Sequence, residues 1–284
     1  MRRLLLITFV SLLAISGLAA PLDKVKITSI KAGNNVYMLQ GAGGNIGVFV
    51  SSKGLVLIDD QFAPLAEKIE VAMKNISSKP LVYIINTHFH GDHTGSNSHF
   101  SEHAPIIAHK NVRERLSQKP KQKRVELPVM TYQNGLTIYL DDEEIQLTHY
   151  AKAHTDGDTV VYFKKANVLH TGDLFFEIGF PYIDLKHGGS VNGYLGAVKK
   201  LIAKYPDDVV IISGHGKMSD KKGMQDFAKM IESSIAKVKL WLAAGKTTDE
   251  ILKIGLGKDF KKYSWAFINE EKWLKTLIQD LNQN

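Results

Sequence analysis

"INTHFHGDHTGSN", residues 85–97, sets three histidines and an aspartate within six positions: His88, His90, Asp92 and His93. It overlaps "LVYIINT" (81–87), a short continuous apolar run that predicts a buried strand with helices on its faces. Glycines border the cluster, which argues against a helix and for a loop leaving that strand. A buried imidazole must be hydrogen-bonded or ligated, and a buried carboxylate must be paired. Three of the first beside one of the second are hard to satisfy with protein partners alone; a cation satisfies them together. His88 and His90 are two positions apart, so on an extended loop they face the same way.

Further ligand-type side chains stand at other strand ends. "AHTDGDT" offers His154, "HTGDLFF" offers Asp173, "ISGHGKM" offers His215, and "LIDDQ" offers Asp59 and Asp60. Loops at strand ends can converge on one edge of a sheet structure, where binding sites gather. The other histidines (His99, His103, His109, His149, His170 and His187) read as structural or surface residues, and Tyr182 and Lys186 in "FPYIDLKHGG" as ordinary loop residues.

The remaining chain supplies the frame. Residues 25–58 break into short β segments rich in branched and aromatic residues. A helix is predicted over 64–76, opened by Pro64. "PIIAH" (105–109) reads as a strand, 110–117 as a short helix, and 118–134 as a polar surface excursion. Two strand pairs follow, the first a hairpin around "DDEE"; then come a helix over 190–205, a strand over 208–214, and helices from 221 onward. Thr248 with Glu250 marks one helix start. This order is not a regular βαβ alternation. It predicts an α/β (α+β) fold with two sheets between helical layers.

Taken together, "THFHGDH", "AHTDGD", "TGDLFF" and "SGHG" resemble, in order and spacing, the metallo-β-lactamase superfamily of hydrolases. The resemblance covers about residues 25–220. It implies an αββα metallo-β-lactamase sandwich with additional C-terminal helices, and a metal site at one edge between the sheets. It also implies that His88, His90 and His154 hold one metal, that Asp92, His93 and His215 hold a second, and that Asp173 bridges both. Asp59 resembles a supporting carboxylate that steadies the ligand loop. Imidazole and carboxylate suit zinc, two ions per chain, with iron or manganese as alternatives. Two close cations make hydroxide available near neutral pH for attack on a carbonyl, with Asp92 orienting it.

Composition bounds the setting. The chain has 284 residues, 44% hydrophobic and 23% charged, which suits one sizeable domain rather than a disordered or multi-span protein. "MRR" followed by an apolar run ending in small residues reads as a signal peptide over 1–20, cut near Ala19 or Ala20. The expected product is periplasmic or secreted, with no stable membrane insertion after cleavage. The expected division is a catalytic domain over 21–220 and a helical extension over 221–284 packed on it. Cys is absent, so no ligand or nucleophile is a thiolate. Removing Arg2 and Arg3 from the net charge of +7 leaves +5, scattered rather than gathered with aromatic residues, which argues against a nucleic-acid partner.

The expected substrate is therefore a small cyclic or activated carbonyl compound, a lactam, lactone or ester, with a β-lactam (a β-lactamase-like hydrolase) as the leading single choice. Asp173 stands where one class of the family's lactamases has cysteine, and apolar residues follow it where those enzymes tend to carry a lysine. Both features weigh against efficient lactam hydrolysis. The competing readings are an iron-dependent oxidoreductase of the same fold, similar to persulfide dioxygenases, and a phosphodiesterase or nuclease-type hydrolase.

Overall fold

The computed structural model describes residues 22–119 and 123–282; the segment 1–20, read above as a signal peptide, lies outside the described residues. Seven strands form the first sheet in chain order: β1 (Thr28–Gly33), β2 (Val36–Gln40), β3 (Ile46–Val50), β4 (Leu55–Ile58), β5 (Leu81–Asn86), β6 (Ile106–His109) and β7 (Met130–Tyr132). The first four pair antiparallel; β4 to β7 pair parallel. Four helices accompany this half: α1 (Ala66–Ile76), the short α2 (Gly91–Thr94) and α3 (Asn97–Phe100), and α4 (Lys110–Ser117).

The second sheet contains β8 (Gly135–Leu140), β9 (Glu143–His149), β10 (Thr159–Phe163), β11 (Val168–His170), β12 (Val210–Ile212) and β13 (Met218–Asp220), ordered β13-β12-β11-β10-β9-β8. Only β11 and β12 pair parallel, and α5 (Val191–Lys204) lies in the crossover between them. Helices α6 (Lys221–Ala243), α7 (Thr248–Ile254) and α8 (Glu270–Leu281) complete the described chain. None of the described helices is long and apolar enough to cross a membrane.

Alternation along the strands explains the layering. In β4, Val56 and Ile58 face β10's Val161 and Phe163 in a core between the sheets. Their neighbours Leu55 and Leu57 turn the other way, onto Ile69 and Met73 of α1. In β10, Val160 and Tyr162 turn outward into a third cluster with Tyr194 and Leu201 of α5, Ile231 of α6 and Trp273 of α8. Strands with buried side chains on both faces need a layer on each side. The result is the αββα sandwich expected from the sequence.

The C-terminal helices are integral to the outer layer. Trp273 is fully buried, and its indole N–H donates to Ser234 Oγ at 3.0 Å. The Asp280 carboxylate accepts from the Val191 amide at 2.9 Å, placing negative charge at the N-terminus of α5.

Three local expectations are corrected. The segment 118–134 is not wholly an excursion, because its end forms β7, an edge strand; β13 was likewise not anticipated. Gly91–Thr94 makes one helical turn despite its glycine, opening at His90, whose extended backbone serves as the N-cap. The start of α7 is capped by Thr247, not Thr248: its hydroxyl accepts from Glu250 N, while the Glu250 carboxylate accepts from Thr247 N.

Candidate metal centre

Five strand ends meet at one edge of the sandwich. Asp59 follows β4, the histidine cluster follows β5, His154 lies between β9 and β10, Asp173 follows β11, and His215 follows β12. Asn45, just before β3, joins the two sheets there. Its amide donates to Gly214 O at 2.7 Å and its side chain to Ser213 O at 2.9 Å.

Two groups of donor atoms result. His88, His90, His154 and Asp173 bring ligand atoms within 4.8 Å of one another, and so do Asp92, His93 and His215. The Asp173 carboxylate stands between them. Its Oδ2 is 3.4 Å from His154 Nε2 and 3.7 Å from His88 Nε2; its Oδ1 is 3.1 Å from His93 Nε2 and 3.4 Å from His215 Nε2. Asp92 Oδ2 lies 3.3 Å from His215 Nε2.

Each of four imidazoles is held from behind, which assigns its tautomer from its partners. His93 Nδ1 donates to Asp59 Oδ2 at 2.7 Å, and the Thr87 hydroxyl donates to the same oxygen at 2.7 Å. The Thr87 amide donates to Asp59 Oδ1 at 2.7 Å. Because the Thr87 proton is committed to Asp59, its oxygen accepts from His88 Nδ1 at 3.0 Å. His154 Nδ1 donates to the Tyr182 carbonyl at 2.7 Å, and His90 Nε2 donates to Asp184 Oδ2 at 2.9 Å. The opposite nitrogens of the His88, His90 and His154 rings then carry lone pairs aimed into the centre, and His93 Nε2 faces the same way, able to offer its lone pair once a cation replaces its proton.

These lone pairs test whether a metal fits. His88 Nε2, His93 Nε2 and Asp173 Oδ1 are buried with no hydrogen-bond partner. His154 Nε2 and His90 Nδ1 face each other at 2.9 Å, lone pair against lone pair once the outer nitrogens have donated. Buried acceptors left so cost stability unless a cation joins them. The donor set of imidazoles and carboxylates is one that zinc accepts.

The field agrees. Burial pushes His88 well below the ordinary imidazole range and His154 down to about 4. Burial also opposes charge on His93 and His215, but the carboxylates of Asp173 and Asp92 outweigh it; His93 is raised well above its usual value and His215 to about 9. Those same histidines hold Asp92 down to about 2 and Asp173 well below the carboxylate range, against their own burial. His88 and His154 are therefore held neutral, while the half containing Asp92, His93 and His215 concentrates carboxylates where positive charge is favoured.

Of the pair in "LIDDQ", Asp59 supports the ligand loop, whereas Asp60 turns away, accepting from Ser96 N at 2.8 Å, with burial pushing its carboxyl well above the usual range. Two glycines make room by close approach. A Cβ on Gly44 would fall 2.1 Å from the His93 ring, and one on Gly214 would fall 2.2 Å from Asp173 Oδ1. His187, read as a spare histidine, instead binds Asp184 Oδ2 at 2.7 Å through Nδ1 and lines the cavity above the centre, as does Tyr182; Lys186 does not. Asp184 itself was not anticipated; lying 94 residues from His90 in sequence, it gives no local sign of the contact.

That cavity has a volume of about 550 Å³. His90, Asp92, Asp173 and His215 form its polar floor, and Phe62, Phe89, Phe176, Tyr182, Trp265 and Phe267 its walls. Among the described residues no lysine or arginine lines it.

Because Asp184 fixes the His90 ring, Asp184→Ala is expected to weaken metal retention about ten- to a hundredfold. Chelator competition monitored by a metal-sensitive dye reads this. A competition curve identical to wild type would remove Asp184 from that role.

Comparison with known proteins gives the same picture. The chain is 23% identical over 221 residues to the metallo-beta-lactamase type 2 of Elizabethkingia meningoseptica, covering 73% of this chain and 85% of that one. It is 26% identical over 194 residues to metallo-beta-lactamase IND-1 of Chryseobacterium indologenes, covering 66% and 80%. In fold it is similar to the metallo-beta-lactamase from Pontibacter korlensis, with a TM-score of 0.64 at 17% identity over 74% of this chain and 99% of that one. The family model for the metallo-beta-lactamase superfamily matches residues 39–215. That span opens in β2 and closes on His215, taking in all seven residues that converge at the centre, and the chain belongs to this superfamily of metal-dependent hydrolases.

Proposed function

We propose that the protein is an exported dinuclear zinc hydrolase acting on the carbonyl of a small lactone, ester or lactam. The observation that carries this reading is the division of Asp173 between two donor groups, one oxygen toward each. His88, His90 and His154 would hold one ion, Asp92, His93 and His215 the other, and Asp173 both. Bound zinc supplies Lewis acidity for a carbonyl oxygen and lowers the pKa of water toward about 7.

The chain's own residues account for the rest. Asp92 faces the cavity and, with its pKa near 2, is ionised at neutral pH. It can accept a hydrogen bond from an attacking water and fix its orientation. Asp59 and Asp184 lock His93 and His90, so the centre need not reorganise when substrate enters. The aromatic walls place apolar surface around the floor, and a substrate seated against them would displace water and strengthen the electrostatic contacts there.

Asp92→Asn is expected to keep the fold and lose at least about 10²-fold in turnover, because the orienting charge is gone. Near wild-type turnover in metal-replete Asp92→Asn protein would count against this role.

The cavity also ranks the substrates. A lactam drug's carboxylate finds no lysine or arginine among the described lining residues. It forgoes a charge-assisted hydrogen bond of roughly 1.5–3 kcal/mol, or about ten- to a hundredfold in binding. Lactones and esters are therefore expected to turn over faster than a chromogenic cephalosporin. Parallel steady-state rates with chelator controls test this. Fast lactam turnover without esterase or lactonase activity would reverse the ranking, and turnover insensitive to chelator would remove the metal mechanism.

Export rests on the charged start, apolar run and small-residue end of residues 1–20. The exported protein is expected to begin near Ala20 or Pro21 by intact mass. Full-length chain retained in the membrane fraction would overturn this.

A further inference from the structure

Two cavity walls come from outside the segment that matches the family. Trp265 and Phe267 lie between the 3-10 turn Lys258–Tyr263 and α8, some fifty residues beyond the family match at 39–215. Their placement is built rather than incidental. Tyr263 O accepts from the Phe180 amide at 2.8 Å, and the Trp265 indole N–H donates to Phe180 O at 2.9 Å. Gly179, at φ +149°, lets the two segments touch, since a Cβ there would fall 2.2 Å from Tyr263 O. The C-terminal extension is thereby fastened to the segment that follows Asp173. The Trp265 ring then sits 5.9 Å from the ring of His215, and Phe267 sits 5.6 Å from Tyr182.

Half of the Phe267 side chain is exposed, although it is a large apolar group at the mouth of a cavity. An apolar surface left open over a polar floor is suited to a ligand that is apolar at one end and reactive at the other. The nearby cation Lys119 does not change this. Its ammonium donates to the Phe89 carbonyl at 2.8 Å, over the Phe89 ring, and Lys119 is not among the residues lining the cavity.

We propose that Trp265 and Phe267 are specificity-determining residues, forming an apolar wall that selects uncharged substrates with an extended hydrocarbon or aromatic acyl group. This rests on the carbonyl hydrolase reading above. A methylene laid on such a wall improves binding about three- to fourfold until the wall is covered. A carboxylate at the far end of the same chain loses its hydration against these rings and, among the described residues, finds no lysine or arginine lining the cavity to pair with.

The test is a series of p-nitrophenyl esters from acetate to octanoate, with the monoester of suberic acid as the charged counterpart of octanoate. It is run on the zinc-loaded full chain and on Trp265→Leu, Phe267→Ala and the double variant. In wild type, kcat/KM is expected to rise with chain length and to fall at least tenfold from octanoate to the suberate monoester. In the double variant the rise is expected to flatten, with a loss of about thirtyfold on octanoate, mostly in KM, and a much smaller loss on acetate. Phe267→Ala alone removes a half-exposed ring and keeps the test valid if Trp265→Leu unfolds. A second readout is binding of the neutral fluorescent probe N-phenyl-1-naphthylamine, expected to weaken at least tenfold in the double variant.

Equal losses across the series, or an unchanged slope, overturn the wall while leaving ester hydrolysis standing. If wild type cleaves no ester but the probe binds and is lost in the variants, the wall stands and the carbonyl hydrolase reading falls. Probe binding that the variants do not alter overturns the wall.

Discussion

Asp173→Ala is expected to empty both metal positions together and to lower hydrolysis by about 10³-fold or more, since one such electrostatic contact alone is worth about 10²–10³. The expectation follows from how the two oxygens are shared. Oδ2 approaches His154 and His88, and Oδ1 approaches His93 and His215. No other carboxylate in the centre reaches both groups: Asp92 lies against His215 and His93 only. His154→Ala, by contrast, is expected to weaken chiefly the first position, and His215→Ala chiefly the second. Metal titration of the three variants, with circular dichroism to verify the fold, separates these outcomes. Two tightly held ions in Asp173→Ala would show that the carboxylate does not bridge.

Asp59→Asn is the second large effect, and it acts without touching the cavity. The Asp59 carboxylate is fully buried and takes three donors: the Thr87 amide, the Thr87 hydroxyl and His93 Nδ1. Asparagine offers an oxygen to one side only and turns an N–H toward donors on the other. Either a donor is stranded, or His93 changes tautomer and presents a proton where its lone pair faced the centre. Breaking a buried charged pair of this kind costs about 3–5 kcal/mol. Losing the support of one ligand costs about ten- to a hundredfold in metal affinity. Backbone strain does not confuse the result, because Asp59 sits at φ +61°, a conformation asparagine also accepts. Urea unfolding of chelator-treated protein reads the first quantity, and chelator competition the second. A variant within about 0.5 kcal/mol of wild type, the scatter of an ordinary surface substitution, would contradict the role given to Asp59.

What was legible in the sequence was local chemistry. His88, His90, Asp92 and His93 stand in one loop, and His154, Asp173 and His215 each end a β segment with a glycine nearby, so residue type and position spoke together. The sandwich was legible for a related reason: strands such as "TVVYF" carry consecutive apolar or aromatic residues from Val160 to Phe163, which face a sheet on one side and a helix layer on the other. The three-residue edge strands β7 and β13 were not, because their burial is partial and no periodicity can develop over so short a run. Asp184, His187, Trp265 and Phe267 were not legible either. Each reaches the centre or its cavity only through tertiary folding. An aspartate in a loop or a tryptophan between helices has many duller uses.

The most direct measurement is the metal content of folded protein reconstituted with zinc and freed of excess, read by native mass spectrometry alongside elemental analysis. Two donor groups sharing Asp173 predict two zinc ions per chain, both released by chelator with loss of hydrolysis. A single ion per chain, or protein that holds one iron in preference to zinc, would contradict the dinuclear hydrolase.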